Sequence, residues 1–101
     1  VLEEAGFSVD TAEDGHRALE LFKTNPNKYD LMITDQSMPN FSGIELTNEI
    51  RKSGSEIPIL MSSGQLGMED IKGYKKAGIT TFIQKPWTAR ELIKEIENLF
   101  E

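Results

Sequence analysis

The sequence has 101 residues, enough for one domain with one hydrophobic core. Its hydrophobic content of 38% and charged content of 28% are ordinary for a globular chain and too apolar for a disordered one. The net charge of −6 argues against a general nucleic-acid-binding surface. The absence of cysteine excludes disulfide and thiolate chemistry and is compatible with a cytosolic setting, and no apolar run approaches the length of a membrane span.

The first part of the chain predicts a helix end, a strand and a helix. Val1–Ala5 is typical of a last helical turn, with Gly6 as its stop. Apolar and polar residues alternate from Phe7 to Ala12, which predicts a strand. Asp14 is the expected N-cap of a helix that runs to about Thr24.

The central stretch predicts a buried strand that ends in a carboxylate. Asp30–Thr34 contains the continuous apolar run LMI, which suits a strand covered on both faces, and Asp35 follows it. Ser42 and Glu45 form a capping box for a helix over about Gly43–Ser53. In open parallel sheets ligands bind at this edge, although a turn aspartate that bonds nearby backbone is the alternative interpretation of Asp35.

The second half continues the alternation of strands and helices. It predicts a strand from Ile57 to Ser62 or Ser63, a weaker helix over Met68–Ala77 with an interior glycine, and a strand over Thr80–Gln84. A second capping box, Thr88 with Glu91, opens the last helix. This order favours an α/β fold with a parallel sheet and helices on both faces.

Three polar side chains follow apolar runs at successive strand ends. Asp35 follows LMIT, Ser63 ends the run ILMSS, and Lys85 follows TFIQ. A parallel sheet brings these ends to one edge, with neighbouring strands roughly 5 Å apart. There a carboxylate can attack phosphorus to form an acyl phosphate, while an ammonium and a hydroxyl stabilise the phosphoryl oxygens and Mg²⁺ offsets the added charge. Taken singly, the lysine suits a solvated surface and the serine a backbone cap.

Two aromatic residues are not assigned to this site. His16 is expected to be inert on the exposed side of a helix start, in spite of its titratable ring. Trp87 is expected to be a packed or interface aromatic.

The segments DLMITDQSMPNFSG, PILMSSG and FIQKPW resemble the receiver domain of two-component response regulators, and the resemblance extends over Val1–Glu101. It implies a flavodoxin-like, doubly wound parallel sheet with strand order 2-1-3-4-5. By this resemblance Asp35 would be the phosphoacceptor, Ser63 the hydroxyl that follows the phosphoryl group, and Lys85 the lysine that contacts it. Phe82 would be the aromatic whose rotamer tracks Ser63.

The resemblance also implies the surroundings of the site. Pro86 would follow a cis peptide bond, and Ser37 and Gln65 would occupy two variable positions that tune dephosphorylation. Mg²⁺ would be held by the Asp35 side chain, the Ser37 carbonyl and an acidic residue elsewhere. Any catalysis would be limited to the domain's own phosphoryl transfer and dephosphorylation.

The implied partner is a histidine kinase or a histidine phosphotransfer domain in the cytoplasm. A homodimer through the Met68–Phe100 face is a further expectation, with no direct contact to nucleic acid or membrane. The segments TDQSMPNFSG and SSG are similar to those of receiver domains attached to hybrid sensor kinases.

One departure from the family concerns the N-terminus. The family's first strand ends in an acidic pair, and this sequence starts after it, so about twenty residues of a typical domain are absent. We therefore expect residues 1–101 to be a single receiver domain without its first strand and most of its first helix. A gap or a strained pairing is expected between Phe7–Ala12 and Asp30–Thr34. The isolated chain is expected to be unstable, swapped or aggregated, and to bind Mg²⁺ weakly.

Two other functions stay open from the sequence. A receiver that has lost its chemistry would act as a phosphorylation-independent interaction module. A metal-dependent phosphatase with an aspartyl-phosphate intermediate is less favoured, because such enzymes usually carry a second carboxylate two residues after the nucleophile, where this chain has Ser37.

Overall fold

The computed structural model describes residues 6, 8, 10–12, 14–36, 41–64 and 67–100. Within these residues the chain alternates between helices and strands. The elements are α1 (Gly15–Thr24), β1 (Met32–Asp35), α2 (Gly43–Lys52), β2 (Ile59–Ser63), α3 (Met68–Ala77), β3 (Thr81–Gln84) and α4 (Ala89–Leu99). None of the described helices is long and apolar enough to span a membrane.

Side-chain caps fix the starts of the helices on either side of β1. The Asp14 carboxylate accepts a hydrogen bond from the Arg17 backbone N–H at 2.9 Å, as the sequence predicted for α1. At α2 both halves of the predicted capping box are present, with Ser42 accepting from the Glu45 N–H at 3.2 Å and Glu45 accepting from the Ser42 N–H at 3.1 Å. Such caps satisfy backbone donors that have no partner inside the helix.

At α4 only half of the predicted capping box forms. The Thr88 hydroxyl accepts from the Glu91 N–H at 3.1 Å, as expected. The Glu91 carboxylate, however, accepts from the Thr88 hydroxyl at 3.2 Å. The Glu91 carboxylate therefore bonds the Thr88 hydroxyl and not the Thr88 backbone N–H, and the reciprocal bond of a capping box does not form.

The three described strands form one parallel sheet in the order β1-β2-β3. This α/β arrangement confirms the predicted fold class. Asp35 pairs with Ser62, and Ser63 pairs with Gln84, so the carboxyl ends of the strands lie at one edge. Asp35 is the last residue of β1 and not the first residue after it, because its backbone still pairs with β2.

The sheet is covered on both faces by apolar side chains. One cluster contains Phe22, Leu46, Ile50, Ile57, Ile59, Met61, Tyr74 and Ile79. The other contains Leu60, Ile83, Leu92 and Ile96. Ile59 and Met61 belong to the first cluster and Leu60 to the second, as the alternation of side chains along a strand requires. Because β2 is buried at every position, its backbone provides a rigid support for the strand ends beside it.

The predicted strand at Phe7–Ala12 is not found in the described part of that segment. Ser8 and residues 10–12 belong to no strand and pair with none of β1, β2 or β3, and Phe7 and Val9 lie outside the described residues. Its alternating pattern suits a strand, but a strand needs a neighbouring strand to receive its backbone hydrogen bonds. In the strand order implied by the resemblance, that neighbour is the family's first strand.

An open cleft of about 1250 Å³ lies beside β1. Residues 8, 10–12 and 31–35 are among those that line it. At its rim the Tyr29 hydroxyl donates to Asp10 at 2.6 Å, and the Lys28 ammonium lies 2.9 Å from the same carboxylate. The Tyr29 hydrogen bond, and after it Lys28, lowers the pKa of Asp10 below its ordinary value.

Candidate functional site

The charged centre of the site is an ion pair between Asp35 and Lys85. The Lys85 Nζ donates to Asp35 Oδ2 across the carboxyl edge of the sheet. Asp35 ends β1 and Lys85 directly follows β3, and β2 lies between these two strands, which are therefore roughly 10 Å apart. The long lysine side chain bridges this distance. Both side chains keep solvent access, with 38% of Asp35 and 41% of Lys85 exposed.

Backbone hydrogen bonds hold this pair against β2. The Gln36 N–H donates to the Ser62 carbonyl at 3.1 Å, and the Lys85 N–H donates to the Ser63 carbonyl at 2.8 Å. These bonds continue the sheet pairing one residue beyond β1 and β3. The chain directions at Asp35 and Lys85 are therefore set by a fully buried strand.

The start of α2 is packed against the backbone of Asp35. A Cβ atom at Gly43 would lie 2.9 Å from the Asp35 carbonyl oxygen and 2.8 Å from Met61 Cε. The Gln36 side chain also accepts from the Ile44 N–H at 3.2 Å. Glycine at this position is therefore a condition for the close approach of the helix to the strand end.

The third strand-end group, Ser63, lies in a buried hydroxyl pair. Its Oγ is 2.9 Å from the hydroxyl oxygen of Tyr74 on α3, and either atom can donate. Only 4% of Ser63 and 3% of Tyr74 are exposed. The Tyr74 ring in turn lies 6.0 Å from the Phe82 ring, at an interplanar angle of 54°. A continuous set of contacts therefore runs from β2 through α3 to β3.

The family model of the response regulator receiver domain matches residues 1–97 of this chain. This chain is a receiver domain. The match confirms the resemblance seen in the sequence, and with it a role in two-component signalling.

Individual relatives agree with this assignment. The chain is 35% identical over 96 residues to the transcriptional regulatory protein RprY of Bacteroides fragilis, covering 95% of this chain and 40% of RprY. It is 32% identical over 99 residues to the peroxide stress-activated histidine kinase mak3 of Schizosaccharomyces pombe, covering 92% of this chain and 4% of the kinase. The solved structure of the chemotaxis protein CheY4 of Vibrio cholerae superposes with a TM-score of 0.89 at 30% identity, covering 96% of this chain and 81% of CheY4.

One further hydrogen bond and a cis peptide bond lie at this edge of the receiver domain. The Trp87 indole N–H donates to the Ser62 hydroxyl at 2.8 Å, and Ser62 is the register partner of Asp35. The peptide bond between Lys85 and Pro86 is cis. Trp87 is half-buried beside the Leu60 cluster, so it is a packed aromatic that also contacts the site strand.

The described residues do not by themselves provide a metal site. Among them, no three histidine, cysteine, aspartate or glutamate side chains form a group that could hold a metal ion. Asp35 would contribute one oxygen ligand, and its carboxylate contacts Lys85. The tuning positions Ser37 and Gln65, and with them the expected Ser37 carbonyl ligand, lie outside the described residues.

Sequence reasoning brought Asp35, Ser63 and Lys85 to one edge but missed Tyr74 as a partner of Ser63. It predicted the helix Met68–Ala77, which contains Tyr74, but gave the tyrosine hydroxyl no partner. A signal was available, because a buried tyrosine hydroxyl almost always requires a hydrogen-bond partner. The bond between Trp87 and Ser62 was also missed, although a partly buried indole N–H likewise indicates a hydrogen-bond partner.

Proposed function

We propose that Asp35 is the phosphoacceptor of this receiver domain. The phosphoryl group would come from a phosphohistidine on a histidine kinase or a histidine phosphotransfer domain. The observation that supports this most directly is the ion pair between Asp35 and Lys85 at the carboxyl edge of the sheet. The carboxylate is accessible to a phosphodonor, and the cation that would stabilise the added charge is already in contact with it.

The transfer is a displacement at phosphorus. An Asp35 carboxylate oxygen attacks, a new O–P bond forms, and the N–P bond to the histidine breaks; the histidine ring, protonated at its other nitrogen, leaves as neutral imidazole, and an acyl phosphate remains on Asp35. Lys85 then contacts a phosphoryl oxygen, and the Ser63 hydroxyl donates to another. Positioning and electrostatic stabilisation supply most of the rate in reactions of this kind.

Mg²⁺ is the proposed cofactor, as membership of the family implies. Asp35 would be one ligand and the Ser37 carbonyl another, and the remaining acidic ligand is not identified. Among the described residues this donor set is incomplete.

The proposed consequence of phosphorylation is a shift between conformations that already exist. Ser63 would move towards the phosphoryl group, and Phe82 would occupy the space that this movement opens. The altered surface would be formed by α3, β3 and α4, where Met68 is 78% and Phe100 54% exposed. This face could pair two copies of the domain, and we place the protein in the cytoplasm, without direct contact to nucleic acid or membrane.

The likeness to mak3 supports a place for this domain in a hybrid histidine kinase. The likeness to RprY supports a place in a separate regulator. In either setting we propose that residues 1–101 act as one receiver unit.

A second candidate is a receiver that binds its partner without phosphorylation. Absence of the family's acidic pair from the natural full-length protein would favour it, whereas the presence of Asp35, Ser63 and Lys85 together weighs against it. The two functions differ in one respect that can be measured, which is covalent phosphate on Asp35.

The test is phosphate uptake by the natural full-length protein from acetyl phosphate in Mg²⁺ buffer. We expect stoichiometric phosphate with the acid and base lability of an acyl phosphate. Asp35→Asn should abolish it, whereas Asp30→Asn, at an exposed aspartate just before β1, should leave it unchanged. Phosphate that survives Asp35→Asn would contradict the assignment, and absence of uptake in the unmodified protein would favour the phosphorylation-independent module.

A further inference from the structure

The hydroxyl of Ser63 and the carboxylate of Asp35 lie at the same sheet edge but in different environments. Asp35 is 38% exposed in its side chain, whereas Ser63 is 4% exposed. The Ser63 Oγ lies within hydrogen-bond distance of the Tyr74 hydroxyl, and that residue is itself only 3% exposed. In this structure the Ser63 hydroxyl is therefore buried and paired with α3; we call this its inward position.

A phosphoryl group on Asp35 would accept hydrogen bonds at the exposed edge, from Lys85 and, by the proposed function, from Ser63. Phosphoryl oxygens only accept hydrogen bonds, and a serine hydroxyl has one proton to donate. For Ser63 to reach the phosphoryl group, its oxygen has to leave the buried position against Tyr74. The Tyr74 hydroxyl and the phosphoryl group thus compete for Ser63.

We propose that Tyr74 is a positioning residue that holds Ser63 in the inward position and so opposes phosphoryl binding at Asp35. This inference rests on the proposed function of Asp35. It identifies the bond between Ser63 and Tyr74 as the contact that is broken when the domain is activated.

The same bond connects the site to α3. Tyr74 lies on α3, and its ring contacts the ring of Phe82 on β3. When Ser63 turns outward, Tyr74 loses its hydroxyl contact with β2, and the ring beside it can adjust. The preceding residue, Gly73, weakens the helix, and a Cβ atom there would meet no atom within 4 Å. Release of Tyr74 would therefore pass the signal directly to α3.

Tyr74→Phe separates this role from packing, because it removes the hydroxyl and keeps the ring. The probe is beryllium fluoride with Mg²⁺, a phosphoryl mimic, titrated into the natural full-length protein or its variants. Fluorescence of Trp87 is a local readout, since its indole bonds Ser62 beside Asp35. The hydrogen bond that Tyr74→Phe removes stabilises only the inward position of Ser63. Its loss should therefore tighten binding of the mimic about fivefold.

Two controls make the result specific. Tyr29→Phe removes the hydroxyl of an exposed hydrogen bond to Asp10 and should leave the affinity for the mimic unchanged. In a Ser63→Ala background, Tyr74→Phe should have no effect, because the group on which Tyr74 acts is gone. Urea unfolding of the same four proteins (unmodified, two single variants and the double variant) should show coupling between positions 63 and 74.

The outcomes are distinct. Tighter binding in Tyr74→Phe that disappears in the Ser63→Ala background supports the proposal. Unchanged or weaker binding overturns it while leaving Asp35 as the phosphoacceptor. An equal gain in the Ser63→Ala background also overturns it, because Tyr74 would then act through packing. If the unmodified protein does not respond to the mimic, the proposed function of Asp35 fails, and the role of Tyr74 fails with it.

Discussion

The carboxyl edge of the sheet has two polar pairs that differ in their access to solvent. The pair of Asp35 and Lys85 is charged and more than a third exposed. The pair of Ser63 and Tyr74 is neutral and almost fully buried. Burying a charge is far more costly than burying a hydroxyl that keeps a hydrogen bond, so the sheet exposes the first pair and encloses the second. Exposure suits a group that exchanges phosphate with a partner, and burial suits one that transmits the change through packing.

The exposed pair should matter for chemistry and little for stability. Lys85→Gln removes a cation aimed at the phosphoryl oxygens, so we expect phosphate uptake from acetyl phosphate to slow by about 10²-fold. The free energy of unfolding should change by less than about 1 kcal/mol, because exposed ion pairs contribute little. A time course of phosphate uptake and urea unfolding of the same preparation measure the two effects. A loss of several kcal/mol in the free energy of unfolding, with normal phosphate uptake, would show that the ion pair serves stability and not chemistry.

Gly43 supports the exposed pair, because α2 approaches the backbone of Asp35 at this residue. Gly43→Ala places a methyl group against the Asp35 carbonyl and the Met61 side chain, so we expect a loss of about 1–3 kcal/mol in the free energy of unfolding. Phosphate uptake should fall as the strand end shifts. The measurement is urea unfolding, followed by the uptake assay.

Gly73→Ala is the matched control for Gly43→Ala. Gly73 lies inside α3 and has open space around it, so alanine there should stabilise the domain by up to about 1 kcal/mol. If both alanine variants are destabilised equally, the close approach at Gly43 is not the cause.

The smallest effect should come from a fully exposed contact at the cleft. The Tyr29 hydrogen bond and Lys28 lower the pKa of Asp10, so the folded state favours the carboxylate. The resulting contribution to the free energy of unfolding is present above the unfolded-state pKa of about 3.9. It is lost as the pH falls through the lower pKa of Asp10 in the folded state. Asp10→Asn should therefore flatten the acid side of the stability profile slightly below about pH 4, as thermal unfolding across pH would show. An unchanged profile would mean that the contact does not persist in solution.

Local patterns in the sequence predicted the parts of the fold that depend on neighbouring residues. The caps at Asp14 and Ser42 were identified because the capping groups lie within three residues of their partners. The edge position of Asp35, Ser63 and Lys85 followed from apolar runs that precede each of them. Each of these inferences needed only short segments and the geometry of a parallel sheet.

The rest depends on contacts that short segments do not contain. The alternation at Phe7–Ala12 predicts a strand, but strand formation depends on a neighbour elsewhere in the fold. The bond between Ser63 and Tyr74 spans 11 residues and depends on how α3 packs on β2. Both cases show that tertiary packing decides where a locally ambiguous segment lies and which partner a polar side chain finds.

The most direct test of the account is to locate the phosphate. The natural full-length protein is phosphorylated with acetyl phosphate, treated with borohydride, which reduces an acyl phosphate to an alcohol, and digested for peptide mass spectrometry. We predict homoserine at position 35, and aspartate unchanged at positions 30 and 10. Reduction at another carboxylate, or at none in a protein that has taken up phosphate, would contradict the assignment of Asp35 as the exposed phosphoacceptor.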